Sequence, residues 1–385
     1  MNLSPQDKSW ADDTWCKIQT KLERVHEKSG EKIPYTTVNG THDDKLAQKP
    51  NGVYGWTNGF WPGILWLMYH GTNKESYRQK AEALEVRMDE ALYGLHGQGI
   101  EGLHHDVGFM WELMSVANYR LTGETDSRRR GLIVANYLMS RFQPNAGYIV
   151  AWSGVEHEGW SIIDTMMNLP LLHWASQETG LSRYRDIAML HADKVIENVV
   201  RPDGSVVHIA VYDPQTGDLV ETLAGQGYAV GSSWSRGASW ALYGFALEYR
   251  YTQEKRYLDT AKRVAHYFLC SIMDDFIPRI DFRQPAEPNH KDTSAGAIAA
   301  CGLIEIAAHV DDCEKDMYLN AAVRILRALE AKHCDWSENE DGILMNGALA
   351  YHWGDDSDKN TNLIYGDFFF IEAILKLRGM EITLW

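Results

Sequence analysis

The chain has 385 residues, 45% of them hydrophobic, and a formal net charge of -16. This is enough apolar material for a sizeable core, while the acidity argues against nucleic acid or an anionic membrane as a partner, since both call for clustered Lys and Arg. It does not exclude an anionic substrate, because one Arg in a cleft outweighs net charge at short range.

Taken from the N-terminus, residues 1–10 are polar, with no apolar run of the signal-peptide kind, and no later segment is long and apolar enough to span a bilayer. A cytoplasmic protein is expected, or a periplasmic one if a signal peptide was trimmed. Five cysteines, Cys16, Cys270, Cys301, Cys313 and Cys334, show no CxxC spacing, so neither a disulfide framework nor a zinc site is indicated.

A 3.6-residue periodicity then recurs along nearly the whole chain in two alternating forms. Charged amphipathic helices are expected at roughly 5–29, 75–92, 126–142, 181–200, 254–273 and 315–333. Between them fall helices apolar on nearly all sides and rich in Gly and Ala, at roughly 57–70, 105–122, 160–179, 235–252, 292–310 and 363–378. Stops such as Thr122-Gly123 and Thr179-Gly180, each followed closely by the next charged helix, imply antiparallel neighbours. The alternation predicts an all-α (α/α)6 barrel over residues 1–385 as a single domain, inner helices within and outer helices around them. An open solenoid of the same hairpins is the competing architecture. The long loops leading into the inner helices share one face, and Ser205 to Tyr212, closed by the Asp213-Pro214-Gln215-Thr216-Gly217 turn, predicts a short β-hairpin over the barrel mouth.

Two carboxylates stand at the starts of apolar segments, Asp106 before Val107-Gly108-Phe109-Met110 and Asp164 within Ile162-Ile163-Asp164-Thr165-Met166. Burying an ionised carboxylate costs several kcal/mol unless it is paired or protonated. Each acid alone reads more readily as a helix N-cap or first-turn acid. On consecutive inner helices they enter one cavity, where close carboxylates repel and one can hold a proton while the other stays ionised. General acid catalysis needs that division. The mouth segments also carry many of the 14 tryptophans, among them Trp56, Trp152, Trp234 and Trp240, with Tyr351 and Trp353 in the last loop. Their faces suit sugar rings, although large aromatics also simply fill a wide barrel. Gln226 and Arg236 flank a Gly-rich helix entry; the Arg fork suits a substrate carboxylate, or else holds a loop through carbonyl bonds. His104-His105 lacks the spacing and further ligands of a zinc site, and His208 taken alone reads as an ordinary half-buried histidine.

Together, Trp56-Thr57-Asn58-Gly59-Phe60-Trp61, His104-His105-Asp106-Val107-Gly108-Phe109, Ile162 to Leu172 with its Asp164-Thr165-Met166-Met167-Asn168 centre, Ser233-Trp234-Ser235-Arg236-Gly237 and Tyr365-Gly366-Asp367-Phe368-Phe369 resemble the unsaturated glucuronyl hydrolases, family 88 of the glycoside hydrolases. The likeness runs in order over almost the full chain. Ala238-Ser239 departs from the Gln-Ala expected before Trp240, and Gly354 to Lys359 falls where family members sense sulfate on the sugar. The resemblance implies removal of a C4=C5 unsaturated glucuronic acid from the non-reducing end of lyase-generated oligosaccharides, glycosaminoglycan disaccharides above all. Asp164 would protonate C4 and activate the water that adds at C5, Asp106 would support it, and Trp56, His105, Trp152, His208, Gln226, Trp234, Arg236, Trp240 and Tyr351 would form the pocket. No metal or organic cofactor is expected, and the protein would act as a monomer or homodimer. The alternatives are an unsaturated rhamnogalacturonyl hydrolase, an ordinary inverting glycosidase on the same barrel, or a non-catalytic carbohydrate-binding scaffold.

Overall fold

Local capping and turn chemistry set the helix boundaries. The structure, a computed structural model, describes residues 3–48, 51–94, 99–380 and 384–385, so the expected loops 39–55 and 94–105 fall partly outside the described residues. Helix α1 (Pro5–Ser29) starts at Ser4, whose hydroxyl accepts from the Asp7 N–H, with Pro5 preset for the first turn. The apolar α2 (Phe60–Thr72) ends at left-handed Asn73 and returns as the charged α3 (Glu75–Arg87). The next inner helix, α4, runs from Val107–Trp111 through a π-helical turn, Glu112–Val116, into Ala117–Thr122, and Gly123 in the left-handed region turns the chain into α5 (Thr125–Ser140). Gly180 does the same between α6 (Leu169–Thr179) and α7 (Ser182–Asn198), and Gln253 between α8 (Ser235–Thr252) and α9 (Lys255–Ser271). The last turns of the alternation are α10 (Thr293–His309), α11 (Asp312–His333) and α12 (Ile364–Leu377).

The even-numbered helices are buried along most of their length, α12 throughout, whereas the odd-numbered ones bury a single stripe. That difference decides the architecture. A helix apolar all round must be covered all round, and here α2, α4, α6, α8, α10 and α12 pack side by side in that order, with α12 returning onto α2. The ring is closed, so the chain is an (α/α)6 barrel and not an open solenoid. Each of α3, α5, α7, α9 and α11 lies against the inner helix that precedes it in the chain, and α1 lies against α12. The first helix, packed on the last, thereby completes the outer layer. Among the described residues no helix is long and apolar enough to cross a membrane.

Short strands decorate the end of the barrel where the inner helices begin. β1 (Thr37–Val38) pairs with β2 (Thr41–His42), and β3 (Phe142–Gln143) with β4 (Tyr148–Ile149). A three-stranded sheet has the order β5 (Trp160–Ile162), β6 (Ile209–Tyr212) and β7 (Leu219–Leu223), all antiparallel. The β6–β7 hairpin turns where the Asp-Pro-Gln-Thr-Gly segment predicts.

One expected boundary changes. The helix expected over 160–179 begins only at Leu169, because residues 160–162 pair with β6 and Ile163 to Met167 form a 3-10 turn. Pro170 explains the late start: it fits the first turn of a helix, where its missing N–H is no loss, and would break a helix already under way. Asp164 therefore sits in the turn between a strand and a helix, not in the helix itself.

Candidate active site

The inner helices all begin around one end of the barrel, and there the chain leaves a cavity of about 260 Å3. Asp106 ends the approach to α4 but does not cap it, since its carboxylate accepts from none of the helix N–H groups. It is bound from the side instead. The Asn168 amide donates to Asp106 Oδ1 at 3.3 Å and to the backbone carbonyl of Asp164 at 3.1 Å, while its own oxygen accepts from the Phe109 N–H at 2.9 Å. One asparagine thus ties the two acid-bearing segments together. The join is tight, because a Cβ on Gly108 would come within 2.6 Å of the Asn168 amide oxygen. Only glycine lets α4 lie this close.

Asp106 Oδ2 stands 3.3 Å from His105 Nε2, and the other ring nitrogen of His105 shares a 2.7 Å hydrogen bond with Thr165 Oγ1. Burial alone would raise the Asp106 carboxyl, but His105, His104 and Asn168 outweigh it and hold it below the ordinary carboxylate value. Burial pushes the His105 ring down to about 4 despite that neighbour. At neutral pH this is an ionised Asp106 beside a neutral imidazole.

The same burial has a consequence for stability. His42 is pushed down to about 4 and His191 to about 3, both chiefly by burial. In the unfolded chain all three rings titrate near 6.5, so below that pH the unfolded state binds more protons than the native one. Stability is therefore expected to fall as pH drops from about 6.5 towards 4. Urea midpoints at pH 7 and pH 5 check this, and His105→Gln should shrink the difference.

Asp164 faces Asp106 from the 3-10 turn. Its Oδ2 is buried without a hydrogen-bond partner among the described residues. The closest cationic candidate is His208 Nε2 at 3.6 Å, beyond hydrogen-bond range. His208 is oriented by its other nitrogen, Nδ1, which accepts from the Gln226 N–H at 2.9 Å, so its proton resides on Nε2 and points towards Asp164. The ring also lies on Trp234, with centroids 4.4 Å apart. Gly225 makes the approach possible: its φ is +55°, and a Cβ there would strike His208 Nδ1 at 1.9 Å. Asp164 lines the cavity, and a carboxyl with one oxygen left unpartnered is placed to exchange a proton with whatever enters.

Eight of the expected site residues line the cavity together: Asp106, Asp164, Trp56, His105, Trp152, His208, Gln226 and Arg236. Three do not. Trp240 is fully buried between Phe109 at 5.1 Å and Phe369 at 5.6 Å, beneath the cavity floor. Trp234 is 2% exposed and backs His208 from behind. Tyr351 belongs to an outer cluster with Tyr228 and His352, its backbone N–H donating to the Gln226 carbonyl at 2.9 Å.

Arg236 reaches the cavity wall, but its guanidinium is already committed. Nη1 donates to Asp292 Oδ2 at 2.6 Å and to the Ala348 carbonyl, and Nη2 donates to the Leu349 carbonyl at 2.7 Å. Of the two sequence readings, an Arg that holds a loop is the one seen, because a charge this deeply buried must be paired. Sequence reasoning missed Tyr35, His104, Tyr365 and Leu349 as lining residues. Tyr365 lies inside one of the family motifs and Trp353 belongs to the aromatic set of the last loop; Tyr35 and Leu349 come from loops with no periodic signal. The described residues contain no cluster of His, Cys, Asp and Glu suited to a metal ion.

A family model described as Glycosyl Hydrolase Family 88 matches residues 29–344. Over 362 residues the chain is 37% identical to an unsaturated glucuronyl hydrolase of Bacillus sp. (strain GL1), covering 92% of this chain and 93% of that protein. It is 34% identical over 343 residues to an unsaturated chondroitin disaccharide hydrolase of Streptococcus pyogenes serotype M1, covering 87% and 84% of the two. The crystal structure of an unsaturated glucuronyl hydrolase from Streptococcus agalactiae superposes with a TM-score of 0.88 at 28% identity, covering all of this chain and 95% of that one.

Proposed function

The chain belongs to glycosyl hydrolase family 88 and is a glycoside hydrolase, and we propose that it removes a C4=C5 unsaturated glucuronic acid from the non-reducing end of lyase-generated, glycosaminoglycan-type oligosaccharides by hydrating the vinyl ether. The observation that carries this reading is the buried, unpartnered Oδ2 of Asp164 facing an ionised Asp106 in one cavity.

The C4=C5 bond is electron-rich because the ring oxygen conjugates with it. Asp164 delivers a proton to C4, and positive charge develops at C5 and the ring oxygen. The Asp106 carboxylate, fixed by Asn168 and His105, supplies a permanent negative field to that cation and an acceptor for sugar hydroxyls. Asp164, now ionised, takes a proton from the water that adds at C5, and so regains its starting state. The C5 hemiketal opens, the former ring oxygen becomes a hydroxyl on C1, and that hemiacetal collapses to an aldehyde and releases the remaining saccharide. No bond at the anomeric carbon is attacked directly, and the two carboxylates need not bracket it.

His208 Nε2–H and Gln226 line the same wall as Asp164 and are placed to orient the uronate, while Trp56 and Trp152 offer ring faces. Trp353, 54% exposed at the rim, offers a third to the leaving sugar. Arg236, being paired, contributes the loop that carries Leu349 rather than a direct salt link. The five cysteines are unpaired, which suits a reducing cytoplasm.

The test is turnover of an unsaturated chondroitin-type disaccharide in D2O. The ultraviolet absorbance of the conjugated alkene should disappear and one deuterium should be found at C4 of the released keto acid. An ordinary inverting glycosidase would leave the double bond and its absorbance intact. Cleavage only when rhamnose occupies the leaving position would assign the chain instead to unsaturated rhamnogalacturonyl substrates.

A further inference from the structure

At about 260 Å3 the catalytic cavity is smaller than the roughly 300–1,000 Å3 that enclose a drug-sized ligand, so it accommodates the terminal uronate and leaves most of the leaving chain outside. That chain has a place to go. Trp152, which lines the cavity, also lines a second and more open depression of about 630 Å3, walled by Tyr137 and Arg141 from the end of α5, Phe142 of β3, and Ser153 and Val155 of the following loop. The indole is a wall common to both.

The chemistry of this groove is that of a sugar site. Arg141 Nε donates to the Val150 carbonyl at 2.8 Å and Nη1 donates to the Tyr137 hydroxyl at 2.7 Å, which fixes the guanidinium plane. Its Nη2 donates to no group among the described residues, and no carboxylate pairs with it there, which is unusual for an arginine in so acidic a chain. Glu158, also on the wall, adds a carboxylate acceptor. Between these polar groups lie Phe142, Val150 and Val155, the last 90% exposed with nothing among the described residues to cover it. Fixed donors and an acceptor alternating with apolar surface match a pyranose, which presents hydroxyls at its edge and C–H groups on its faces.

We propose that this groove is a second saccharide-binding site, which holds the units of the leaving chain beyond the first, and that the protein therefore prefers unsaturated oligosaccharides longer than a disaccharide. The inference rests on the vinyl-ether reading above, and the experiment separates the two. kcat/KM is measured for the unsaturated disaccharide and tetrasaccharide from one lyase digest. The wild type should favour the tetrasaccharide by about tenfold, the equivalent of roughly 1.4 kcal/mol. Ser140→Trp places a bulky ring at the groove edge from an exposed position whose hydroxyl bonds only its own helix. It should erase the preference by lowering tetrasaccharide turnover alone. Arg141→Gln should reduce the preference severalfold without removing it.

If the disaccharide is turned over and the wild-type ratio is one or less, the groove proposal fails and the hydrolase reading stands. Equal losses on both substrates in both variants would also overturn it, since they would mark a structural role. Turnover of neither saccharide would reject the hydrolase reading itself, and the groove with it.

Discussion

Asp164→Asn is expected to lower kcat by about 10^3 to 10^4 while leaving the fold and the affinity for the unsaturated disaccharide nearly unchanged. General acid catalysis by a positioned side chain is worth roughly 10^2 to 10^4, and the upper end applies because the same carboxyl serves twice, as the acid at C4 and then as the base for water. The amide is isosteric and carries no dissociable proton of the required acidity. Stability is spared because Asp164 Oδ2 accepts no hydrogen bond that the exchange would break. The link to Asn168 runs through the Asp164 backbone carbonyl and survives. The measurement is kcat and KM by loss of alkene absorbance, with calorimetric binding of the disaccharide to the variant. A variant that retains wild-type turnover would remove Asp164 from the mechanism. One that loses binding as well as turnover would make it a ligand and not the acid. Asp106→Asn, by contrast, should also weaken the fold, since Asp106 is tied to Asn168 and His105.

Much of this arrangement is legible in the chain before any coordinates. The periodicity separates outer from inner helices because burial on all sides and burial on one side leave different residue patterns, and the boundaries of α1, α5 and α11 fall within a few residues of expectation. Pairing Asp106 with Asp164 follows from consecutive inner helices starting at one end of a closed ring. What a helical period does not report is depth. Arg236 and Trp240 are four residues apart and share a face of α8, but four residues advance about 6 Å along the axis. Arg236 reaches the cavity wall; Trp240 lies below it, against Phe109. Nor does a propensity pattern announce a strand of three residues. The segment 160–162 is apolar enough for a helix start, and only its pairing with β6, which sets Trp160 opposite Val211, makes it β5. Loop residues such as Tyr35 and Leu349 enter the site through long-range contacts that no local signal encodes. The resemblance to a known family supplied the chemistry that two carboxylates alone leave open, since the same pair would serve an inverting glycosidase.

Arg236→Met is expected to destabilise the protein by about 3–5 kcal/mol, the range for removing one partner of a buried ion pair. Arg236 is 1% exposed and Asp292 fully buried, so the variant leaves a carboxylate without its cation. The Asp292 contacts that remain, from the Ser294 N–H and hydroxyl and from the Ala348 N–H, satisfy one oxygen only. The loss should spread to the site. The Ala348 and Leu349 carbonyls lose their donor, and the Leu349 carbonyl also accepts from Gln226 Nε2 at 2.6 Å, so Gln226 and, through its N–H, His208 lose their support. A double variant, Arg236→Met with Asp292→Asn, discriminates among the possible roles. If the pair is structural, removing the orphaned charge recovers part of the stability, and urea unfolding gives a coupling of at least 1 kcal/mol. If Arg236 instead binds the substrate carboxylate, the single variant keeps its unfolding midpoint and raises KM with kcat nearly intact. The geometry of the guanidinium favours the first outcome, because its charge is already balanced by buried Asp292 and three of its five N–H groups hold Asp292, Ala348 and Leu349.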